Sequence, residues 1–134
     1  LWARHKATVL TVALVLYTIV LGVAVADDVL HLGLFPTRLE AMARERIADL
    51  GHEDEERRRK AADELVRKID AFVAVPALLD ALDADSLQRR TLAIECLRRI
   101  TSSAHGYAPD APRARRRAAI ERWRRWWREN KYRY

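Results

Sequence analysis

Residues 7–26 form a run of apolar and small side chains without a single charge, between a basic segment and a pair of aspartates. In an α-helix that rises 1.5 Å per residue, twenty residues match the roughly 30 Å hydrocarbon core of a bilayer. A helix also satisfies its backbone hydrogen bonds internally, as the bilayer interior requires. The pattern therefore predicts one transmembrane helix at 7–26.

A cleaved secretory signal is the alternative for this run. Ala24, Val25 and Ala26 have the small-x-small form that signal peptidase accepts, and a short basic region precedes the apolar residues. The apolar run is longer than the usual signal core of about 7–15 residues. We therefore interpret it as an uncleaved signal-anchor.

The charges that flank the run predict its orientation. Arg4 and Lys6 precede it, whereas Asp27 and Asp28 follow it. Because positively charged flanks stay on the cytoplasmic side, we expect residues 1–6 in the cytoplasm and the C-terminal domain outside it. The high content of Ala, Arg and Leu and the preference for Arg over Lys are typical of a GC-rich bacterial genome. The predicted location is the bacterial inner membrane, with a periplasmic domain.

One face of the predicted membrane helix carries small and weakly polar side chains. At about 100° per residue, four of them fall within a narrow arc: Ala7, Thr11, Thr18 and Gly22. Such a stripe lets another membrane helix approach closely. Small residues are also common in plain anchors, so packing on a neighbouring subunit and simple anchoring both stay open.

Residues 27–36 are predicted to be an interfacial connector, because the segment is largely apolar and is broken by Gly33 and Pro36. His31 in this connector could ligate a metal or a pigment. The sequence offers no second ligand, and a polar anchor at the membrane interface is the simpler interpretation. We predict no metal and no cofactor.

Residues 37–134 show helical periodicity without a competing strand pattern, so the predicted fold class is all-α. Thr37 and Glu40 have the spacing of a capping box that begins the first helix. Pro76 is expected to open a short third helix, since proline suits a first turn. The predicted helices are 37–50, 54–69, 77–82, 87–100 and 112–130.

Two of these helices repeat each other at an offset of 32 residues. Such periods mark stacked helical hairpins. The aligned patterns are Arg58-x-x-Ala61-Ala62-x-x-Leu65-x-x-x-Ile69 and Arg90-x-x-Ala93-Ile94-x-x-Leu97-x-x-Ile100.

Residues 53–100 resemble a HEAT repeat of the bacterial kind, with Pro76 at the first helix, Asp at the turn and Arg90 early in the second helix. The resemblance implies a short helical-hairpin domain, a fragment of an α-solenoid. Such a domain binds other proteins, and the resemblance implies no catalytic activity. Arg57 and Arg89 depart from the family, which usually has Val before the repeat's Arg. The stack is also short, so flanking helices or a partner must cap it.

The positive charge of the chain is concentrated in its last segment. The formal net charge is +6, and residues 105–134 carry 10 basic and 3 acidic side chains. In the basic helix at 112–130, arginines surround an apolar stripe that contains three tryptophans. The candidate contact residues are Arg113, Arg116, Arg122, Arg124, Arg125, Arg128, Trp123, Trp126 and Trp127.

Three interpretations of this basic helix are open. The favoured one is a cap that lays its Trp stripe over the solenoid end, because such an amphipathic helix normally buries its apolar side in its own domain. Arg with interfacial Trp also suits an anionic membrane surface. Contact with nucleic acid through phosphates and bases is the third, but nucleic acid is not expected as a partner outside the cytoplasm.

Catalytic motifs are absent from the sequence, which has four scattered histidines, no glycine-rich phosphate loop and no Ser-His-Asp ordering. Cys96 falls on a core position of the repeat, which indicates buried packing.

We therefore expect a non-enzymatic accessory or scaffold subunit of a multi-subunit membrane complex, such as a respiratory or photosynthetic assembly. Its expected partners are integral membrane subunits and the lipid bilayer, with no small-molecule substrate. The alternative is a membrane-tethered adaptor or sensor whose basic helix binds anionic lipid, an acidic protein or nucleic acid.

Overall fold

The computed structural model describes the backbone of residues 2–30, the side chains of residues 6–26 and all of residues 37–134. The chain forms two compact units, Leu1–Pro36 and Thr37–Tyr134. Within the described residues there are six α-helices and no strand, which confirms the all-α class. The helices are α1 (Trp2–Leu30), α2 (Arg38–Asp49), α3 (Glu55–Arg67), α4 (Ala71–Ala81), α5 (Leu87–Thr101) and α6 (Arg113–Asn130), and a short 3-10 helix, Lys131–Arg133, follows.

Helix α1 contains a stretch, Lys6–Ala26, that is long and apolar enough to cross a membrane. Its large apolar side chains are exposed in the isolated unit, as lipid-facing residues would be. The helix continues to Leu30, so the first four residues of the predicted connector are helical. The rest of the connector, including His31, lies outside the described residues.

Polar side chains begin the helices of the C-terminal unit. The predicted capping box is present: the Glu40 N–H donates to Thr37 Oγ1 at 3.2 Å, and the Thr37 N–H donates to Glu40 Oε2 at 2.7 Å. Asp54 caps α3 and Ser86 caps α5 in the same way, each accepting a backbone N–H of its own helix. These caps satisfy N–H groups that have no partner inside a helix.

The predicted start of the third helix at Pro76 is wrong. Helix α4 begins at Ala71, where Asp70 Oδ1 accepts the Phe72 N–H at 2.8 Å, and Pro76 lies inside the helix. Proline removes the hydrogen bond to the carbonyl of Phe72, which lies at the exposed start of the helix. Burial of apolar side chains before and after Pro76, such as Val75 and Leu78, outweighs this loss.

Four helices form two hairpins that lie side by side. Helix α2 packs on α3 and α4 packs on α5, while α2 also contacts α4 and α3 contacts α5. Short turns join successive helices, so each runs antiparallel to the one before it. Their facing sides bury one core, whose largest fully buried side chains are Leu50, Leu65, Val75, Leu78, Leu82, Ile94, Cys96, Leu97 and Trp123. Leu39, near the start of α2, is 44% exposed.

Helix α6 closes one side of this core and runs antiparallel to α4. Its start lies near the end of α4, where Arg113 and Arg117 approach Asp83 at 3.7 and 3.8 Å. Its end lies near the start of α4, where the rings of Trp127 and Phe72 are 6.0 Å apart. Helix α6 therefore takes the direction of α3 and α5.

Two hydrogen bonds hold the loop between α5 and α6, one to the end of α4 and one from Arg90 on α5. The buried Tyr107 hydroxyl donates to the Leu82 carbonyl, and Arg90 Nε donates to the Pro109 carbonyl at 2.9 Å. Ser102, His105 and Gly106 have positive φ angles, which let the loop turn sharply. The loop occupies the place in sequence where the preceding units have a first helix.

Candidate functional site

An arginine near the start of α3 and its equivalent in α5 make the same contacts. Arg58 Nη1 donates to the carbonyls of His52 and Glu53, each at 2.7 Å. Arg90 Nη1 donates to the carbonyls of Ala84 and Asp85, again at 2.7 Å each. Donor and acceptors all shift by 32 residues, so the internal repeat seen in the sequence is a repeat of atomic contacts.

Each of these arginines also contacts the next unit. With its amide oxygen turned toward α3, Gln88 accepts from Arg58 Nε at 2.9 Å and from Nη2 at 3.2 Å. Arg90 Nε donates to the carbonyl of Pro109, in the loop before α6. The two side chains therefore tie successive units of the stack together.

A third copy of the pattern lies in α6, and the sequence analysis missed it. Arg116-x-x-Ala119-Ile120-x-x-Trp123 repeats the earlier spacing, with Trp in place of Leu. Arg116 Nη1 donates to the carbonyl of Ala111, five residues before it, as Arg58 and Arg90 do to Glu53 and Asp85. The local arginine contact therefore recurs in α6, which packs on α4.

Arg57 and Arg89, which directly precede Arg58 and Arg90, make different contacts. Arg57 Nε donates to Oδ1 of the buried Asp49 at 2.9 Å, and Arg46 Nη1 donates to its Oδ2 at 2.9 Å. The guanidinium of Arg89 lies over Gly51, where an added Cβ would be 2.9 Å from Nη2. Arg57 is thus accommodated by a salt bridge to Asp49, and Arg89 by the lack of a side chain at Gly51.

A groove of about 700 Å³ runs between α3 and α5 on the outer side of the stack. Its walls combine short apolar, hydroxyl and charged side chains: Glu55, Arg58, Arg59, Ala62, Asp63, Leu87, Gln88, Thr91, Leu92, Glu95 and Arg99. Leu87 is 50% exposed at one end of the groove. A volume of this order accommodates several side chains of a peptide or a helix.

Four charged residues of the groove form two ion pairs, one across it and one along a helix. Arg99 Nη2 donates to Asp63 Oδ1 at 2.8 Å, across α5 and α3, and this hydrogen bond lowers the pKa of the Asp63 carboxyl. Arg59 Nη2 donates to Glu55 Oε1 at 2.7 Å along α3. These pairs are exposed and exchangeable, so a bound polypeptide could replace them at little cost.

The tryptophan stripe of the basic helix points into its own domain. Trp123 is 0% exposed and Trp127 is 7% exposed, while Trp126 is half-buried. This burial leaves Trp123 and Trp127 little surface for lipid or nucleic acid, and their contact with a partner stays a prediction. The capping interpretation accounts for their burial, because α6 covers the apolar side of the stack.

The candidate arginines of α6 divide into two groups. Arg113, Arg116, Arg122 and Arg124 contact groups of their own domain; Arg124, for example, pairs with Asp80 at 3.2 Å. Arg125 and Arg128 are exposed and have no carboxylate within salt-bridge distance among the described residues. Only this second group projects freely from the helix.

His105 packs against the tryptophans of α6. Its ring centroid is 4.5 Å from that of Trp123 and 4.8 Å from that of Trp126. Arg122 Nε donates to the His105 carbonyl at 3.2 Å. Burial, and then the nearby Arg122 guanidinium, lower the pKa of the His105 imidazole.

Cys96 is buried between the two hairpins, with its Sγ 3.9 Å from the Ala62 carbonyl. Burial raises the pKa of its thiol to about 12, which leaves it protonated at neutral pH. Within the described part of the chain, no three His, Cys, Asp or Glu side chains come together as metal ligands.

The small-residue stripe of α1 is present as a helical face. The Thr11 hydroxyl donates to the Ala7 carbonyl and the Thr18 hydroxyl to the Val15 carbonyl, each at 2.8 Å. Both hydroxyls are therefore satisfied within the helix, as a lipid environment requires. Gly22 has no described neighbour that a side chain would meet, so its surface is open.

Comparison of the chain with protein-family models, with curated proteins and with solved structures finds no match.

Proposed function

We propose that this chain is a membrane-anchored, HEAT-like helical adaptor, a non-catalytic accessory subunit of a larger membrane complex. Helix α1 is the anchor, and the α3–α5 groove holds a segment of a protein partner. In the proposed topology residues 1–6 lie in the cytoplasm of a bacterium and the domain lies in the periplasm.

The repeated arginine contact is the observation that carries the HEAT-like interpretation. Arg58 and Arg90 bind the turn before their own helix and also the next unit, which fixes the stacking distance of α3 and α5. Stacked units of this kind expose a surface made of successive second helices. The groove lies on that surface, and its mixture of apolar and exchangeable charged groups suits a polypeptide.

The anchor supports a weak, local mode of binding. Because α1 and the domain belong to one chain, a partner in the same membrane meets the groove at a high effective concentration. The exposed stripe of α1, with Thr18 and Gly22, offers a second contact to a neighbouring membrane helix. Two weak contacts then give a stable subunit.

Site-specific photocrosslinking in native membranes tests the groove. A photoreactive amino acid replaces Leu87 in the groove, and the matched control replaces Leu39, which is similarly exposed at 44% but lies on α2. We expect one integral membrane subunit to crosslink at Leu87 and not at Leu39. Equal crosslinking at both positions, or none at Leu87, would contradict the proposed binding surface.

A further inference from the structure

One end of the domain collects the C-terminal ends of three helices. Helices α2 and α4 begin there, and α3, α5 and α6 end there, since the Tyr134 hydroxyl reaches the Thr101 carbonyl at 3.2 Å and Tyr132 packs on Phe72. We name this the basal end. The domain begins at its basal end, because α2 is its first helix.

Exposed aromatic rings lie at the basal end. Tyr132 is 81% exposed, Tyr134 is 46% exposed and Phe72 is 44% exposed. The Phe72 and Tyr132 ring centroids are 6.2 Å apart, and the centroids of Tyr134 and Trp126 are 6.1 Å apart. Tyrosine rings, which carry a polar hydroxyl, prefer the interface between water and lipid over either phase alone, and the apolar Phe72 ring packs beside Tyr132.

Cations without a salt bridge lie at the same end of the domain. Each helix that ends at the basal end finishes with basic residues, and within the described residues five of them have no carboxylate in salt-bridge distance: Arg67, Arg98, Arg128, Lys131 and Arg133. Lys131 instead lies over the Tyr132 ring, with its Nζ 5.1 Å from the centroid. Among the acidic residues near this end, Asp63 and Glu64 pair with Arg99, Arg46 and Lys68, and the Glu40 and Asp70 side chains accept backbone N–H groups at helix starts. Glu129 is exposed and has no salt bridge among the described residues.

At the opposite end several arginines lie close to carboxylates. Arginines there, such as Arg113, Arg117 and Arg124, approach carboxylates of Asp80 and Asp83. Basic residues at helix C-termini complement the helix dipole, which explains some of the basal charge. The dipole does not explain three exposed aromatic rings at the same end.

We propose that the basal end is a docking face for the anionic headgroup surface of the membrane in which α1 is anchored. Tyr132 and Phe72 enter the interfacial layer, and Arg128, Lys131 and Arg133 bind lipid phosphates. Because the domain is tethered to the same membrane, a weak attraction of each basic residue to anionic headgroups is sufficient. This inference rests on the anchoring in the proposed function, and it leaves the α3–α5 groove free for a protein.

The test uses the full chain in lipid nanodiscs, with a spin label at the basal end. Glu129→Cys carries the label, Glu56→Cys at the start of α3 is the matched control, and both are made in a Cys96→Ala background. Collision of the label with a water-soluble nickel relaxation agent is measured in discs of phosphatidylcholine alone and of phosphatidylcholine with phosphatidylglycerol. We expect accessibility at Glu129 to fall several-fold when phosphatidylglycerol is present and to recover in high salt, while Glu56 stays unchanged.

Charge variants identify the residues that bind the headgroups. Arg128→Gln with Arg133→Gln should abolish the protection at Glu129, whereas Arg44→Gln with Lys60→Gln, which removes the same charge elsewhere, should preserve it. A freely accessible Glu129 label in discs that contain the inserted chain would overturn the lipid-docking proposal and leave the anchor and groove intact. Failure of the chain to enter discs would instead contradict the anchor, and this proposal with it.

Discussion

Replacement of Arg90 by Met should destabilise the domain strongly, and more than replacement of the neighbouring Arg89. Arg90 is 8% exposed, and its guanidinium donates to the carbonyls of Ala84, Asp85 and Pro109 at 2.7–2.9 Å. Met keeps much of the aliphatic stem and removes all three hydrogen bonds. A hydrogen bond from a charged donor contributes about 1.5–3 kcal/mol, and water can replace part of each at a turn. We therefore expect the free energy of unfolding to fall by about 3–4 kcal/mol.

The neighbouring Arg89 provides the matched control. It lies on the same helix and packs over Gly51, but its Nε has no hydrogen-bond partner among the described residues. Arg89→Met should therefore change the unfolding free energy by about 1 kcal/mol or less.

The assay is urea unfolding of the full chain in mild detergent. The signal is the near-ultraviolet circular dichroism of the aromatic side chains, which include the buried Trp123. The expected order is a large loss for Arg90→Met and a small one for Arg89→Met, at an unchanged m-value. Equal losses for the two variants would refute the reasoning that the repeated arginine contact stabilises the stack.

Three further predictions concern single side chains that are buried or partly buried. Tyr107→Phe, which removes the hydroxyl that donates to the Leu82 carbonyl, should lower the unfolding free energy by about 1–2 kcal/mol in the same urea titration. The pKa of His105 is lower in the folded state, so the folded state binds fewer protons than the unfolded state. The free energy of unfolding should therefore be highest above the unfolded pKa of 6.5 and decrease as the pH falls through the lower folded pKa. His105→Gln should flatten this part of the stability–pH profile; an unchanged profile would contradict the assignment. Cys96, with a thiol pKa of about 12 and a buried Sγ, should react with iodoacetamide at neutral pH only after unfolding, and rapid labelling of the folded chain would disagree with the structure.

Helix existence and most helix boundaries follow from local chemistry in this chain. Capping residues and apolar periodicity predicted the starts of α2, α3 and α5, and the Thr37–Glu40 box forms as expected. Pro76 misled the prediction because proline is common in a first turn and is also tolerated deeper in a helix when burial compensates for the lost hydrogen bond. The sequence pattern could not weigh these two outcomes, since the weight depends on tertiary packing.

The candidate site was predicted only in part. The offset of 32 residues identified the equivalent helices, but the contacts of Arg58 and Arg90 with the next unit depend on a three-dimensional stack. The third copy at Arg116 escaped because its offset from Arg90 is 26 residues and Trp replaces Leu. A search for the Arg-x-x-Ala pattern without a fixed period would have found it.

The charge of the C-terminal helix was visible in sequence, whereas its division into paired and unpaired arginines was not. Arg124 pairs with Asp80, which is 44 residues earlier in the chain, while Arg125 beside it has no such partner among the described residues. Such pairing depends on which face of α6 packs against α4. The basic and aromatic surface of the basal end can therefore be recognised only in the folded domain, where the helix ends lie side by side.

The measurement that most directly tests the central claim is extraction of the native membrane in mild detergent, followed by size separation and mass spectrometry of the proteins that co-migrate with the chain. The account predicts stoichiometric co-migration with integral membrane subunits, because α1 and the α3–α5 groove both engage partners. Migration of the chain alone, as a monomer or a small homo-oligomer, would contradict its role as a subunit of a membrane complex.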